Sequence, residues 1–399
     1  MSKQIQDAYV VAATRTPVGK KGGMFGRVRP DDLLAHVLAA VLAKVPGLDP
    51  REVGDVVVGC AMPEAEQGMN VARIGLLLAG LPDSVPGITI NRFCASGLQA
   101  VADAAARIRL GEADVMIAAG TESMSAMPQI MGNKVSLNPA IFAKAENVGI
   151  AYGMGLTAEK VAAQWQVSRD DQDAFALESH RRASAAIAAG HFRAEIAPYT
   201  VRAHLPGEGG TVRIAERVCD TDEGPRADAS PEGLAKLKPV FAARGSVTAG
   251  NSSQMSDGAA AVLLMSEAAL ERTGATPIAR FVSYAVAGVP PAVMGIGPVE
   301  AIPRALAAAG LAQSELGWIE LNEAFAAQAL AVVRQLELDP ARVNPLGGAI
   351  ALGHPLGATG AIRSATLMSA MQRDAALRYG MISMCIGTGM GAAGVFERV

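Results

Sequence analysis

The apolar positions of this chain fall into short strand-length runs separated by longer stretches of helical spacing. Tyr9-Val10-Val11-Ala12-Ala13, Val56-Val57-Val58-Gly59-Cys60, Gly87-Ile88-Thr89-Ile90 and Ala113 to Gly120 are runs of β-branched and small apolar residues bounded by turn formers. Between them, Asp31-Asp32 precede an Ala/Leu/Val helix ending near Lys44. A second helix runs from Asn70 to Leu78 before Gly80, and an Ala-rich helix from Ala100 to Leu110 stops at Gly111. Strands alternating with helices predict parallel pairing, with helices on the sheet faces.

The texture changes between Met124 and Gly245. Asn138-Pro139, Pro198, Pro206-Gly207 and Gly224-Pro225 interrupt it, and one capped helix stands out, with Ser168 and Asp171 as its capping box and Gly190 as its stop. This stretch reads as an insertion, after which Asp257 to Met265 returns the chain to the first sheet. Beyond Pro277 the first pattern repeats. Trp318 to Asn322 echoes the strand ending at Cys60. Gly353-His354-Pro355-Leu356-Gly357 opens a helix as Cys94 does, and Met381 to Gly387 echoes the strand ending at Gly120. Cys60 to Cys94 spans 34 residues and Asn322 to His354 spans 32. The predicted organisation is a first α/β half (1–123), an inserted loop domain (124–245), the return of the first half (246–274) and a second half (275–399). In duplicated α/β halves the strand-to-helix ends converge on one site.

Composition narrows the function. The chain has 399 residues, half of them hydrophobic and 18% charged, which suits a large packed protein of more than one domain. A net charge of −3 without basic blocks, and few aromatics, exclude a nucleic-acid partner. The four cysteines show neither disulfide nor zinc spacing, so no metal is expected. No membrane span and a reducing cytoplasm are the remaining expectations.

Cys94 has the most informative setting. It stands where Ile90 hands over to a helix, so unpaired N–H groups bias its thiol toward thiolate, with Ala95, Ser96 and Gly97 allowing close approach. On these residues alone a nucleophile and a buried structural thiol are equally supported. His354, in a Gly/Pro setting at a helix start, reads as functional. Cys385 alone reads as a packed thiol, Asn322 as a helix N-cap, and Cys60 and His36 as core. His180 and His191, beside Arg181-Arg182 and Arg193, read as a solvated face. Gly389 to Gly394 matches GxGxxG, but no helix and βαβ unit follow it, which excludes a nicotinamide enzyme.

Four stretches taken together resemble the thiolase family: Asn91 to Ala100, Asn322-Glu323-Ala324-Phe325, Asn344 to Gly360, and Cys385-Ile386-Gly387-Thr388-Gly389. The resemblance covers the chain. It implies the thiolase fold: two duplicated βαβ-type halves in five layers (αβαβα) with an inserted loop domain. It implies an acyl-CoA:acetyl-CoA C-acyltransferase that cleaves 3-ketoacyl-CoA with CoA, or runs the reverse Claisen condensation. By the same resemblance Cys94 is the acyl-accepting nucleophile and Cys385 the acid/base at C2. His354 activates Cys94 and bonds the thioester oxygen, Asn322 holds a water there, and Gly387 offers an oxyanion N–H. Arg226 is placed for the nucleotide end of CoA and Ser253 for its pantetheine, and Ala249 in the same loop is a further CoA-binding residue. Phe241, Phe325 and Met154 line the pantetheine or acyl tunnel. No cofactor is implied beyond coenzyme A as substrate. The implied partners are 3-ketoacyl-CoA, acetyl-CoA and CoA, a second or fourth copy of the chain, and a β-oxidation enzyme. Gly153 stands where biosynthetic acetoacetyl-CoA thiolases carry histidine, which favours a degradative enzyme over that alternative. A non-catalytic lipid-binding member would not need both cysteines with His354 and Asn322, and a ketoacyl synthase would carry histidine in place of Cys385.

Overall fold

The strands explain themselves by which face each residue takes. The structure, a computed structural model, describes residues 5–126 and 136–399. The sheet strands are β1 (Tyr9–Arg15), β2 (Asp55–Gly59), β3 (Gly87–Ile90), β4 (Val115–Ser123), β5 (Ser256–Met265), β6 (Ala279–Gly288), β7 (Leu316–Leu321), β8 (Tyr379–Ile386) and β9 (Met390–Arg398). Their order is β7-β8-β9-β6-β1-β5-β4-β2-β3, with the two-residue strand Gly19–Lys20 beside β5. β1 and β6 pair over two positions only, Tyr9 with Arg280 and Val10 with Ala279. That short seam joins two equivalent half-sheets. A parallel bridge from Ile319 to Val343 occupies in the second half the place that β3 holds in the first.

Successive residues of a strand point to opposite faces, and here both faces are buried. Met116 and Ala118 of β4 pack inward with Leu98, Ala105 and Ile108 of the Ser96–Arg109 helix. Val115, Ile117 and Ala119 pack outward against Leu33, Leu34, Val37 and Leu38 of the Pro30–Ala43 helix. In the second half Ile382, Met384 and Ile386 join the inner core, where Ala365, Leu367 and Met368 of the Thr359–Arg373 helix also lie. Met381 faces Ile302, Leu306, Val332 and Val333 of the outer helices Gly297–Ala309 and Ala326–Gln335. The result is five layers, helix-sheet-helix-sheet-helix. Each fully buried Leu or Ile of this set contributes about 1.5–3 kcal/mol. The two central helices touch backbone to backbone: a Cβ on Gly360 would stand 2.1 Å from the Leu98 nitrogen. Gly360→Leu would push these helices apart and break the middle layer.

One expectation needs correction. Pairing is not all parallel: β2 pairs parallel with β3 and β4, and β7 with β8, but β5 runs antiparallel to both β4 and β1. The chain leaves β4 at one end, traverses the insertion and returns at that same end, so the next strand must run back. In addition, Pro291–Ala309 is long and apolar enough to cross a membrane. Its Ala301, Ile302, Ala305 and Leu306 are core residues of the second half, which accounts for its composition. The GxGxxG stretch lies in the turn into β9 and in β9 itself, not at a helix start. The stretch between β4 and β5 carries the helices Met154–Gln164 and Arg169–Ala188, the latter with the capping box at Ser168 and Asp171, and a hairpin of Tyr199–Pro206 with Val212–Cys219.

Candidate active site

Cys94 sits in a single tight turn, Phe93–Ala95, between β3 and the Ser96–Arg109 helix. Phe93 adopts φ +46°, a left-handed conformation that costs a bulky residue energy and that the surrounding packing must enforce. The Ser96 hydroxyl accepts the Arg92 N–H at 2.8 Å and donates to the Phe93 carbonyl at 2.7 Å, which clamps the turn. The thiol is partly exposed. Backbone N–H groups of Gly387 and of Cys94 itself point to its sulfur, and both favour thiolate. Burial outweighs them and pushes the thiol up to about 11. The expected bias toward thiolate therefore fails, and Cys94 needs a base.

His354 follows Gly353, whose φ of +97° turns the chain sharply after the short Ala349–Leu352 helix. The imidazole is 4% exposed. Its Nδ1 lies 2.6 Å from the Thr359 hydroxyl, which itself donates to the Pro355 carbonyl at 3.0 Å. Nδ1 thus carries the ring proton. The Asn322 amide meets Nε2 at 3.3 Å. The His354 backbone N–H donates to the Ser256 hydroxyl at 3.1 Å. Burial, helped by the Arg363 cation, pushes His354 down to about 3, so the ring is a neutral proton acceptor at physiological pH. The Leu356–Ala358 turn packs on the Phe93–Ala95 turn and brings the histidine loop to the cysteine loop.

Asn322 ends β7, and its N–H donates to the Ser383 carbonyl at 2.9 Å. Its Oδ1 is buried with no hydrogen-bond partner among the described residues, unlike a helix N-cap. Cys385, near the end of β8, is fully buried among Ala158, Val247, Met294, Ala324 and Phe325. Burial raises its thiol, and the nearby Cys94 raises it further. A Cβ on Gly387 would lie 3.7 Å from the Met154 sulfur and 3.8 Å from the Phe93 ring. Phe325 meets Phe241 edge to face at 6.1 Å, and the Ser253 N–H donates to the Ala324 carbonyl at 2.9 Å. Cys94, Cys385, Gly387, Met154, Phe325, Phe241 and Ser253 therefore form one neighbourhood, and the paired Asn322 and His354 join it through the turn that packs on Phe93–Ala95.

Arg226 and Ala249 lie apart from that group. They line a cavity of about 350 Å³ under the insertion, with Ser230, Gly250 and Gln254. His180 lines it too, which corrects its reading as a solvated residue. It is 4% exposed, its Nδ1 accepts the Arg226 N–H at 3.2 Å, and burial beside Arg226 pushes it down to about 4. The charged neighbours Arg181 and Arg182 hide this in the sequence, because a helix turns His180 away from them. Thr359 and Glu122 were also missed. Thr359 was open to discovery, five residues after His354 at the start of the Thr359–Arg373 helix. Glu122 carries no local signal.

A model of the thiolase N-terminal domain matches residues 8–268, and one of the thiolase C-terminal domain matches residues 275–398. The 3-ketoacyl-CoA thiolase of Bacillus subtilis is 50% identical over 98% of this chain and 100% of its own length. The peroxisomal 3-ketoacyl-CoA thiolase A of Rattus norvegicus is 48% identical over 98% of this chain and 88% of its own. The crystal structure of the Bacillus anthracis acetyl-CoA acetyltransferase superposes with a TM-score of 0.89 at 39% identity, covering both chains completely.

Proposed function

The chain belongs to the thiolase family, and on that premise we propose that it cleaves 3-ketoacyl-CoA with CoA through an acyl-enzyme on Cys94. The observation that carries this reading is the meeting of Cys94 from the first half with Gly387 and Cys385 from the second at one set of strand ends. His354 accepts the Cys94 proton. The sulfur attacks C3 of the substrate, and the C2–C3 bond breaks with its electron pair on C2. Cys385 protonates C2, which releases acetyl-CoA. The thiolate of CoA then attacks the Cys94 thioester, the S–acyl bond breaks with its electron pair on the Cys94 sulfur, which takes back the proton held by His354, and a shortened acyl-CoA leaves. The proton of the incoming thiol restores Cys385. Splitting the reaction through a thioester lowers each barrier. Two oxyanions form. One is met by the N–H groups of Cys94 and Gly387, the other by His354 and a water held on the orphan Oδ1 of Asn322.

CoA is the substrate that supplies the attacking thiol, and no further cofactor is required. Arg226, His180 and Ala249 in the cavity receive its nucleotide end, and Ser253, Phe241, Phe325 and Met154 its pantetheine and acyl arm. The insertion, residues 124–245, serves CoA binding and contact between copies, in a dimer or tetramer. The setting is cytoplasmic degradation of acyl-CoA, alongside enzymes of the earlier β-oxidation steps. A Cβ on Gly153 meets nothing within 4 Å, so a larger side chain could be carried there without a clash. The acetyltransferase neighbour keeps a second reading, synthesis of acetoacetyl-CoA. A thiolysis assay across a 3-ketoacyl-CoA chain-length series separates the two. Activity that extends well beyond four carbons supports degradation, and strict four-carbon preference overturns it.

A further inference from the structure

Glu122, at the end of β4, takes no part in the steps above, yet its buried carboxylate gathers donors from both halves. Oε2 accepts the N–H groups of Ala61 and Gly357, each at 2.8 Å. Oε1 accepts the Met62 N–H at 3.3 Å, the Gln67 side-chain amide and, at 3.9 Å, the Cys60 thiol. Ala61 leads on to the nucleophile: its carbonyl accepts the Asn91 amide at 3.0 Å, and Asn91 Oδ1 accepts the Phe93 N–H at 2.8 Å. Gly357 leads to the base, three residues after His354. The fit has no slack. A Cβ on Gly357 would stand 2.5 Å from the Ala61 nitrogen, and one on Gly120 2.6 Å from the Gly357 oxygen.

A carboxylate buried this deeply is costly unless hydrogen-bonded. Donors from its own half already serve it, so the bond to Gly357 does something more: it ties a loop of the other half to the same strand end. We propose that Glu122 is a positioning residue that fixes the His354 loop against the Cys94 turn. It touches neither substrate nor reacting atoms. Both loops hang from one rigid β-strand, and a misplacement of about 1 Å in such a pair is enough to cost a hundredfold in rate. The inference rests on the reading of Cys94 as nucleophile and His354 as its base.

Glu122→Gln tests it, because an amide in place of either oxygen sets a donor against the donors already there. Gln67→Met is the comparison: it removes one donor to Glu122, together with the bonds Gln67 makes to Met62 and Ser123 within the first half, and leaves the Gly357 bond. The readouts are kcat and KM for thiolysis, and alkylation of Cys94 by iodoacetamide at about pH 7.5 and about pH 10.5. Glu122→Gln lowers kcat by about 30-fold or more, with KM within about threefold. Loss of the Glu122 charge, which raises the Cys94 thiol, on its own favours thiolate; displacement of the base outweighs it, so alkylation slows about tenfold at the lower pH and less than about twofold at the higher, where thiolate forms without a base. Gln67→Met stays within about threefold of wild type in kcat. Equal losses in both variants, or equal slowing at both pH values, overturn the proposal. If Glu122→Gln does not fold, Asn91→Ala cuts the nucleophile-side arm at an exposed residue. It shows the same selective slowing at the lower pH, and no change there overturns the proposal too. Failure of the functional reading is seen in wild type alone, as thiolysis that survives alkylation of Cys94.

Discussion

The two halves of this molecule are one scaffold used twice, and they differ most where they turn from strand to central helix. In the first half the turn is three residues long, strained at Phe93, and leaves Cys94 partly exposed. In the second the loop is longer, swings through Gly353 and buries His354 behind Thr359 and Ser256. The helices that follow are equivalent, packed against each other through Gly97 and Gly360. Duplication supplied the frame, and divergence of two loops supplied the chemistry. Burial holds both groups neutral, acting on the thiol and the imidazole in opposite directions. It raises Cys94 to about 11 and lowers His354 to about 3.

Removing the exposed member has the largest effect. Cys94→Ala reduces thiolysis by at least about 10³-fold with an unchanged circular dichroism spectrum, since nothing else on the strand ends replaces the acyl acceptor. His354→Gln lowers thiolysis by about 10²–10⁴-fold, in steady-state assays with saturating CoA.

Cys385→Ser separates the jobs of the two cysteines. Its hydroxyl is too weak an acid to serve C2, so condensation and thiolysis fall by about 10²–10⁴-fold. Exchange of labelled CoA into acetyl-CoA needs no proton at carbon and stays within about tenfold of wild type. Equal loss of both would return Cys385 to a structural role.

The comparison also sets a pH dependence. His354 titrates near 3 in the folded chain and near 6.5 when unfolded. Between those values the unfolded chain binds the extra proton, so stability rises with pH across that window and is lost as pH falls through it. The slope from this one group is at most about 1.4 kcal/mol per pH unit. Urea midpoints from about pH 6.5 to 4 therefore fall less steeply for His354→Gln than for wild type. The smallest effect is on selectivity. Gly153→His places a ring in open space beside Met154, and shifts the kcat/KM ratio of four-carbon over longer substrates by about tenfold in favour of the former.

Much of this arrangement was readable from residue pattern. β-branched runs bounded by Gly and Pro located the strands, because a buried strand needs both faces apolar. The repeat located the two loops, and the motifs named Cys94, His354, Asn322, Cys385 and Gly387, which the fold brings to one region. What stayed hidden was long-range. Nothing near Glu122 announces that its acceptors serve Ala61 and Gly357, 61 and 235 residues away. The protonation of Cys94 was misjudged because a helix start favours thiolate locally, while desolvation depends on everything packed around it. His180 was misjudged because flanking arginines advertise solvent, whereas the opposite helix face meets the cavity.

The central claim is that the chain's acyl acceptor is Cys94 and not one of the other three cysteines. Incubating the full chain with acetyl-CoA, digesting it and locating the added acetyl group by mass spectrometry tests this directly. The account predicts one acetyl group per chain, on the peptide that carries Cys94, with an equal amount of CoA released. An acetyl group on Cys385 or Cys60, or a chain that stays unmodified while it turns over substrate, would contradict it.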